Sequence, residues 1–145
     1  MLLGTFEQRL DEKNRATIPA RLRDLLGDRV YVTCGFDPCL LVFPEERWNA
    51  FVEQHSSRLD DYSADDRDLT RYLFGSAMAA DVDKQGRMPV PAFLVAHAEL
   101  DRDIVLTGVL DRLEIWDRDT YTSRRREFEG RVESVAERKA RRPDS

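Results

Sequence analysis

The chain has 145 residues, 41% apolar and 35% charged, enough to build one compact domain or two intimately joined subdomains. No apolar run approaches the roughly 20 residues that span a bilayer, and the first residues lack the basic-then-apolar order of a secretory signal, so an intracellular protein is expected. A net charge of −5 argues against a nucleic-acid partner only until its distribution is considered.

Residues 5–10 alternate, with Phe6, Gln8 and Leu10 on one face and Glu7 and Arg9 on the other, the pattern of a half-buried strand. A tight turn follows, and residues 15–18 form the return strand. Pro19 suits the start of a helix over residues 20–26, which Gly27 ends. Residues 30–34 and 40–43 read as two strands joined by a Gly-Phe-Asp-Pro turn, and Pro44-Glu45-Glu46 opens a longer helix carrying Trp48, Phe51 and Val52 at helical spacing. Ser63 is placed to cap a helix with Asp65 and Asp66 in its first turn, and Leu69, Tyr72 and Leu73 line one side of it.

From there the pattern repeats. Asp11 to Asp83, Arg15 to Arg87 and Pro19 to Pro91 are each 72 residues apart, and Asn14 falls where the second copy has Gly86, two residues that tolerate a positive φ. A helix over residues 92–100 and strands over 104–107 and 113–116 complete the second copy, with one inserted residue bringing Gly35, Leu40 and Val42 onto Gly108, Leu113 and Ile115. Asp117-Arg118-Asp119 opens a last helix, solvated over residues 121–142 with Phe128, Val132 and Val135 as a thin apolar stripe, that frays into the tail. Two halves of four short strands, each too small to fold alone, are expected to interleave into one closed β-barrel without exposed edges. Pro89 then suits an edge or bulge position.

Acid is concentrated in the middle, at Glu45, Glu46, Glu53, Asp60, Asp61, Asp65, Asp66 and Asp68, whereas Arg9, Lys13, Arg15, Arg21 and Arg23 surround the first repeat loop. A locally positive face on an acidic protein follows. A turn that puts Lys13 and Arg15 at its tip lets Arg fork onto guanine while Lys neutralises phosphate, with Asp11 orienting Arg15; Asp83, Lys84 and Arg87 repeat the set. The simpler reading is an ion pair across a hairpin, which adds little stability when exposed. Cys34 and Cys39 flank the turn between two strands and read as buried small thiols. With the distant His55 and His97, the one exposed and the other at the core edge, they give no convergent metal set. A carboxylate dyad of Asp11 and Asp83 lacks a Ser or Thr and Gly directly beside each acid, where charged residues follow instead, and has no nearby His, so no enzyme activity, cofactor or small-molecule substrate is expected. Trp48, Tyr72, Phe74 and Trp116 read as core or subunit-contact residues.

Taken together, the paired Asp-x-x-x-Arg loops, Gly35-Phe36-Asp37-Pro38-Cys39-Leu40, Arg71-Tyr72-Leu73-Phe74-Gly75-Ser76-Ala77 and the run from Gly108 to Trp116 resemble the MraZ family of bacterial transcriptional regulators, over roughly residues 1 to 128. The resemblance implies an α+β fold with a mainly β core, a pseudo-twofold duplicated swapped-hairpin β-barrel of SpoVT/AbrB type with peripheral helices. It divides the chain into a first SpoVT/AbrB-like repeat (1–50), a helical connector (51–76), a second repeat (77–120) and a C-terminal helix and tail (121–145). It further implies a cytoplasmic, nucleoid-associated repressor of the division and cell-wall gene cluster. Such a repressor assembles as a ring-shaped homo-oligomer, an octamer or dodecamer, and binds tandem promoter repeats in double-stranded DNA through Arg9, Asp11, Lys13, Arg15, Arg21, Asp83, Lys84 and Arg87.

Two departures stand out. The family usually has Gly at the place of Asn14, and residues 92–97 are apolar where a charged helix is the rule, so the first copy is expected to dominate DNA contact. The alternative is a non-catalytic protein-interaction module of the antitoxin type on the same barrel, using the C-terminal helix and Arg124-Arg125-Arg126.

Overall fold

The computed structural model describes residues 1–141. The first repeat comprises β1 (Leu2–Arg9), β2 (Arg15–Thr17), α1 (Ala20–Leu26), β3 (Arg29–Cys34) and β4 (Cys39–Pro44). Helices α2 (Glu45–Ser56) and α3 (Ala64–Leu73) connect it to β5 (Met78–Asp81), β6 (Arg87–Pro89), α4 (Ala92–His97), β7 (Asp103–Leu110) and β8 (Leu113–Asp117), and α5 (Arg118–Glu129) and α6 (Val132–Arg141) follow. The fold is mixed α+β around an antiparallel six-stranded sheet of order β1-β7-β8-β4-β3-β5, with β2 and β6 as a separate ribbon.

The sheet reads the same from either end when the repeats are exchanged, because β1 answers β5, β3 answers β7 and β4 answers β8. Its centre falls on Leu41, which pairs with Glu114, its own counterpart in the second repeat. The ribbon is centred on Ala16 and Met88, again counterparts 72 residues apart. The two halves are therefore interleaved: β1 pairs with β7 of the other repeat, β5 with β3, and the return strand β2 pairs with β6 rather than with β1.

Expectation and structure part company at several places. The sheet ends at β1 and β5, so the closed barrel expected above does not form as a continuous ladder. Backbone bonds carry the two edge ladders one residue further toward the ribbon, Leu10 N–H donating to the Arg102 carbonyl and Val82 N–H to that of Asp28. Strand register aligns Arg29 with Asp103 and Cys34 with Gly108, so Gly108 is not the counterpart of Gly35 despite its identity. The turn into β8 is correspondingly shorter. Gly108 is needed where β1 lies close against β7 in their ladder, since a Cβ there would lie 2.6 Å from the backbone of Leu2. Helix α4 stops at His97, not at residue 100. The expected single C-terminal helix is broken around Gly130 into α5 and α6, and the fraying tail lies outside the described residues.

Alternation along the strands gives the sheet two apolar faces. Val30, Val32, Leu40, Val42, Ile104, Leu106, Leu113 and Ile115 face the ribbon residues Ala16 and Met88 together with Leu22 and Leu94 of α1 and α4. Leu41, Phe43, Val105 and Trp116 point the other way, against Trp48 and Phe51 of α2 and Leu73 of α3. The four aromatic residues read as packing do pack, Trp48 stacking on Tyr31 at 5.4 Å and Trp116 meeting Tyr121 edge-on. Cys34 and Cys39 are buried free thiols on opposite faces of the sheet, and burial pushes both thiols up. Ser63 caps α3 as its sequence position suggested, accepting from Asp66 N–H. His55 and His97 exchange their expected settings, the first half-buried against Phe51 and the second exposed beside the Tyr72 hydroxyl.

Candidate nucleic-acid interface

Each Asp-x-x-x-Arg loop is built around one carboxylate. Asp11 Oδ1 accepts from the backbone N–H groups of Lys13 and Arg15, at 2.9 and 2.8 Å, and its Oδ2 accepts from Arg15 Nε at 2.6 Å. In the second loop Asp83 accepts from Gln85 and Arg87 N–H and from Arg87 Nε, at 3.0, 2.8 and 2.9 Å. The backbone closes the turn in the same way twice, with Asn14 N–H on the Asp11 carbonyl and Gly86 N–H on that of Asp83. Asn14 and Gly86 both have positive φ, 56° and 80°, so one backbone path serves both loops. Hydrogen bonds from the backbone N–H of Arg15, then from its side chain, hold the Asp11 carboxyl below the usual aspartate range, and Arg87 does the same for Asp83.

Arg15 and Arg87 are not at the tips, as the sequence suggested. They begin β2 and β6 and are half-buried, because each loop's outermost residues are Glu12 and Lys13, or Lys84 and Gln85. With Nε engaged by the aspartate, each arginine keeps its Nη1 and Nη2 edge for a ligand, Arg87 Nη2 also touching Gln85 Oε1 at 3.3 Å. Arg87 pairs with Thr17, two residues along from Arg15, which puts the loop arginines roughly 7 Å apart along the ribbon and about 5 Å across it.

The remaining site residues are arranged less symmetrically. Lys13 and Lys84 are exposed. Arg21 lies over the Phe6 ring at 5.3 Å, and Arg9 faces Asp103 across the ladder at 3.4 Å. The second repeat inverts that pair, Asp81 facing Arg29 at 3.9 Å. Two arginines reach the loops from the opposite repeat: Arg23, which the sequence assigns to the surroundings of the first loop, lies on the second instead, and Arg102 escapes a sequence reading altogether. Arg102 Nη1 donates to the Asp11 carbonyl at 2.7 Å, and Arg23, from α1 of the first repeat, lies against Gly86 in the second loop while its Nε donates to the Ile18 carbonyl. The acidic residues of α2 and α3 belong to elements on the other face of the sheet, away from the ribbon. Among the described residues no cluster of His, Cys, Asp and Glu is arranged to hold a metal, and no helix is long and apolar enough to cross a membrane.

Comparison with known proteins agrees with this architecture. A family described as "MraZ protein, putative antitoxin-like" matches twice, over residues 1–72 and 73–143. A protein of Lachnoclostridium phytofermentans named Transcriptional regulator MraZ is 42% identical over 123 residues, 85% of this chain and 86% of the relative. Proteins of the same name from Desulforamulus reducens and Pediococcus pentosaceus are 41% and 39% identical over 137 residues, covering 94% of this chain and 96% and 95% of their own lengths. The chain belongs to the MraZ family.

Proposed function

We propose that this protein is a sequence-specific DNA-binding transcriptional regulator without enzymatic activity, a cytoplasmic and nucleoid-associated repressor of the division and cell-wall gene cluster. The observation that carries the reading is the duplicated loop, in which one aspartate freezes the turn and aims an arginine in both copies. Its relatives' name, Transcriptional regulator MraZ, supports the same conclusion. A preformed arginine gives up little conformational freedom on binding, and its Nη1 and Nη2 edge matches the O6 and N7 acceptors of guanine. Lys13 and Lys84 beside it supply phosphate contacts, and Arg9 and Arg21 extend the cationic surface of the first loop.

A single copy presents only two small loops and binds weakly. A ring-shaped homo-oligomer that places them on successive promoter repeats raises avidity by about 10²–10⁴ without new contacts. The test is a salt series of fluorescence anisotropy on the protein's own upstream DNA. Arg15→Glu and Arg87→Glu variants that still assemble normally are expected to lose binding, Arg15→Glu the more, as dominance of the first loop requires. Wild-type affinity is expected to fall steeply between about 50 and 200 mM salt. Full affinity in both variants, or binding indifferent to salt, overturns the reading in favour of a protein-interaction module.

A further inference from the structure

The repeat counterpart of Arg23 is Val95, and that of Arg102 is Asp28, so neither arginine is part of the duplicated pattern. Each nevertheless sits on a loop. A Cβ added to Gly86 would lie 2.1 Å from Arg23 Nε and 2.6 Å from its Nη2, which places the guanidinium directly against the second loop, two residues from Lys84. The bond from Arg23 Nε to the Ile18 carbonyl, 2.9 Å, fixes it there, and the Ile18 N–H in turn donates to the Gly86 carbonyl. On the first loop Arg102, exposed, donates to the Asp11 carbonyl. The second-repeat loop lacks the counterpart of Arg9, having Asp81 instead, so a cation arriving from elsewhere changes its local charge most.

We infer that the two DNA-contacting loops are composite and crossed: Arg23 of the first repeat completes the second loop, and Arg102 of the second repeat completes the first. This rests on the DNA-binding reading above. It also accounts for the unequal turn residues. Gly86 leaves the space that the Arg23 guanidinium occupies against the loop, whereas the first loop, with Val95 as the counterpart of Arg23, accommodates Asn14 at the same backbone position.

The test is a set of double-mutant cycles on the full chain, read by anisotropy with the protein's own upstream DNA. Glutamine keeps a donor but removes the charge, so Arg23→Gln and Arg102→Gln are combined in turn with Lys13→Ala and Lys84→Ala. Each arginine variant is expected to lower the salt slope by about 1, the signature of a lost phosphate contact that a purely structural role leaves unmoved. Arg23→Gln is expected to deviate from multiplicative behaviour by at least about twofold with Lys84→Ala and not with Lys13→Ala; Arg102→Gln shows the reverse. Coupling of Arg23 to Lys13, its neighbour in sequence, or unchanged salt slopes, overturns the inference. Loss of neither binding nor slope in Lys13→Ala and Lys84→Ala overturns the DNA reading and the composite contact with it.

A stability measurement checks the crossing without DNA. Gly86→Asn is expected to lower the Tm measurably in wild type, where it displaces Arg23 from the Ile18 carbonyl, and less in an Arg23→Val background. Equal loss in both backgrounds means that Arg23 does not govern the second loop.

Discussion

At the scale of single residues, the two loops show how little sequence a rigid turn with a fixed arginine requires. One aspartate accepts two backbone N–H groups and one guanidinium N–H, which fixes the turn, the position of the arginine and the charge state of the acid together. The carboxylate form is the one the hydrogen bonds favour, so its depressed pKa in the folded state contributes stability that is fully present above the unfolded aspartate value of about 3.9 and is lost as pH falls through the lower folded value. Carbon-detected NMR titration is expected to show Asp11 and Asp83 titrating below the ordinary aspartate value of about 3.9, with the Arg15 and Arg87 Nε–H signals losing exchange protection in step. Titration at or above that value means that the loops are not held by their acids. Asp11→Ala is expected to weaken DNA binding by roughly five- to a hundredfold, the value of one base contact, by releasing Arg15.

At the scale of elements, what was legible was whatever depends on neighbours along the chain. Alternation gave the strands, Ser63 gave the start of α3, and the Asp-x-x-x-Arg turns were readable because all their bonds lie within five residues. Partnership across the sheet was not. A return strand next to β1 in sequence pairs with β6, and the shared glycine letter at Gly35 and Gly108 masks a slip of register that only the ladder reveals. For the same reason the sequence put Arg23 at the wrong loop and left Arg102 unseen, since exchange of strands carries each to the other half's turn. Helix α3 shows how such distant partners are secured. The buried hydroxyl of Thr33 in β3 donates to the Leu73 carbonyl at the end of α3, and the Tyr72 hydroxyl donates to the Gly35 carbonyl in the turn after β3. Thr33→Val keeps the shape but leaves that carbonyl unpaired, so chemical denaturation is expected to show a loss of about 1–3 kcal/mol. A change within error shows that α3 is held by Leu73 and its apolar neighbours alone.

At the scale of the whole molecule, the pseudo-twofold axis passes through two residue pairs that are deliberately unlike. Ala16 faces Met88, both fully buried, and Leu41 faces Glu114, whose carboxylate accepts from Trp116 Nε1 at 2.9 Å. Symmetry makes these the positions where a repeat paired with its own copy would meet itself. Two first repeats would set Ala16 against Ala16 and leave a void at the centre of the ribbon. Two second repeats would crowd Met88 against Met88 and put Glu114 directly across from Glu114, a like-charge pair that a ladder disfavours. Small meets large, and apolar meets acid, only when the halves differ. Because β1 needs β7 and β5 needs β3, neither half has a complete sheet on its own. Fragments 1–76 and 77–145, prepared separately, are therefore expected to lack cooperative unfolding, and mixing them is expected to restore it with a one-to-one complex by native mass spectrometry. Glu114→Leu in the second fragment is expected to raise the share of its self-pairs, by removing the charge that penalises them. If the unmodified second fragment already forms a stable homodimer, the axis residues do not direct the pairing, and the sequence divergence of the repeats serves some end other than telling one half from the other.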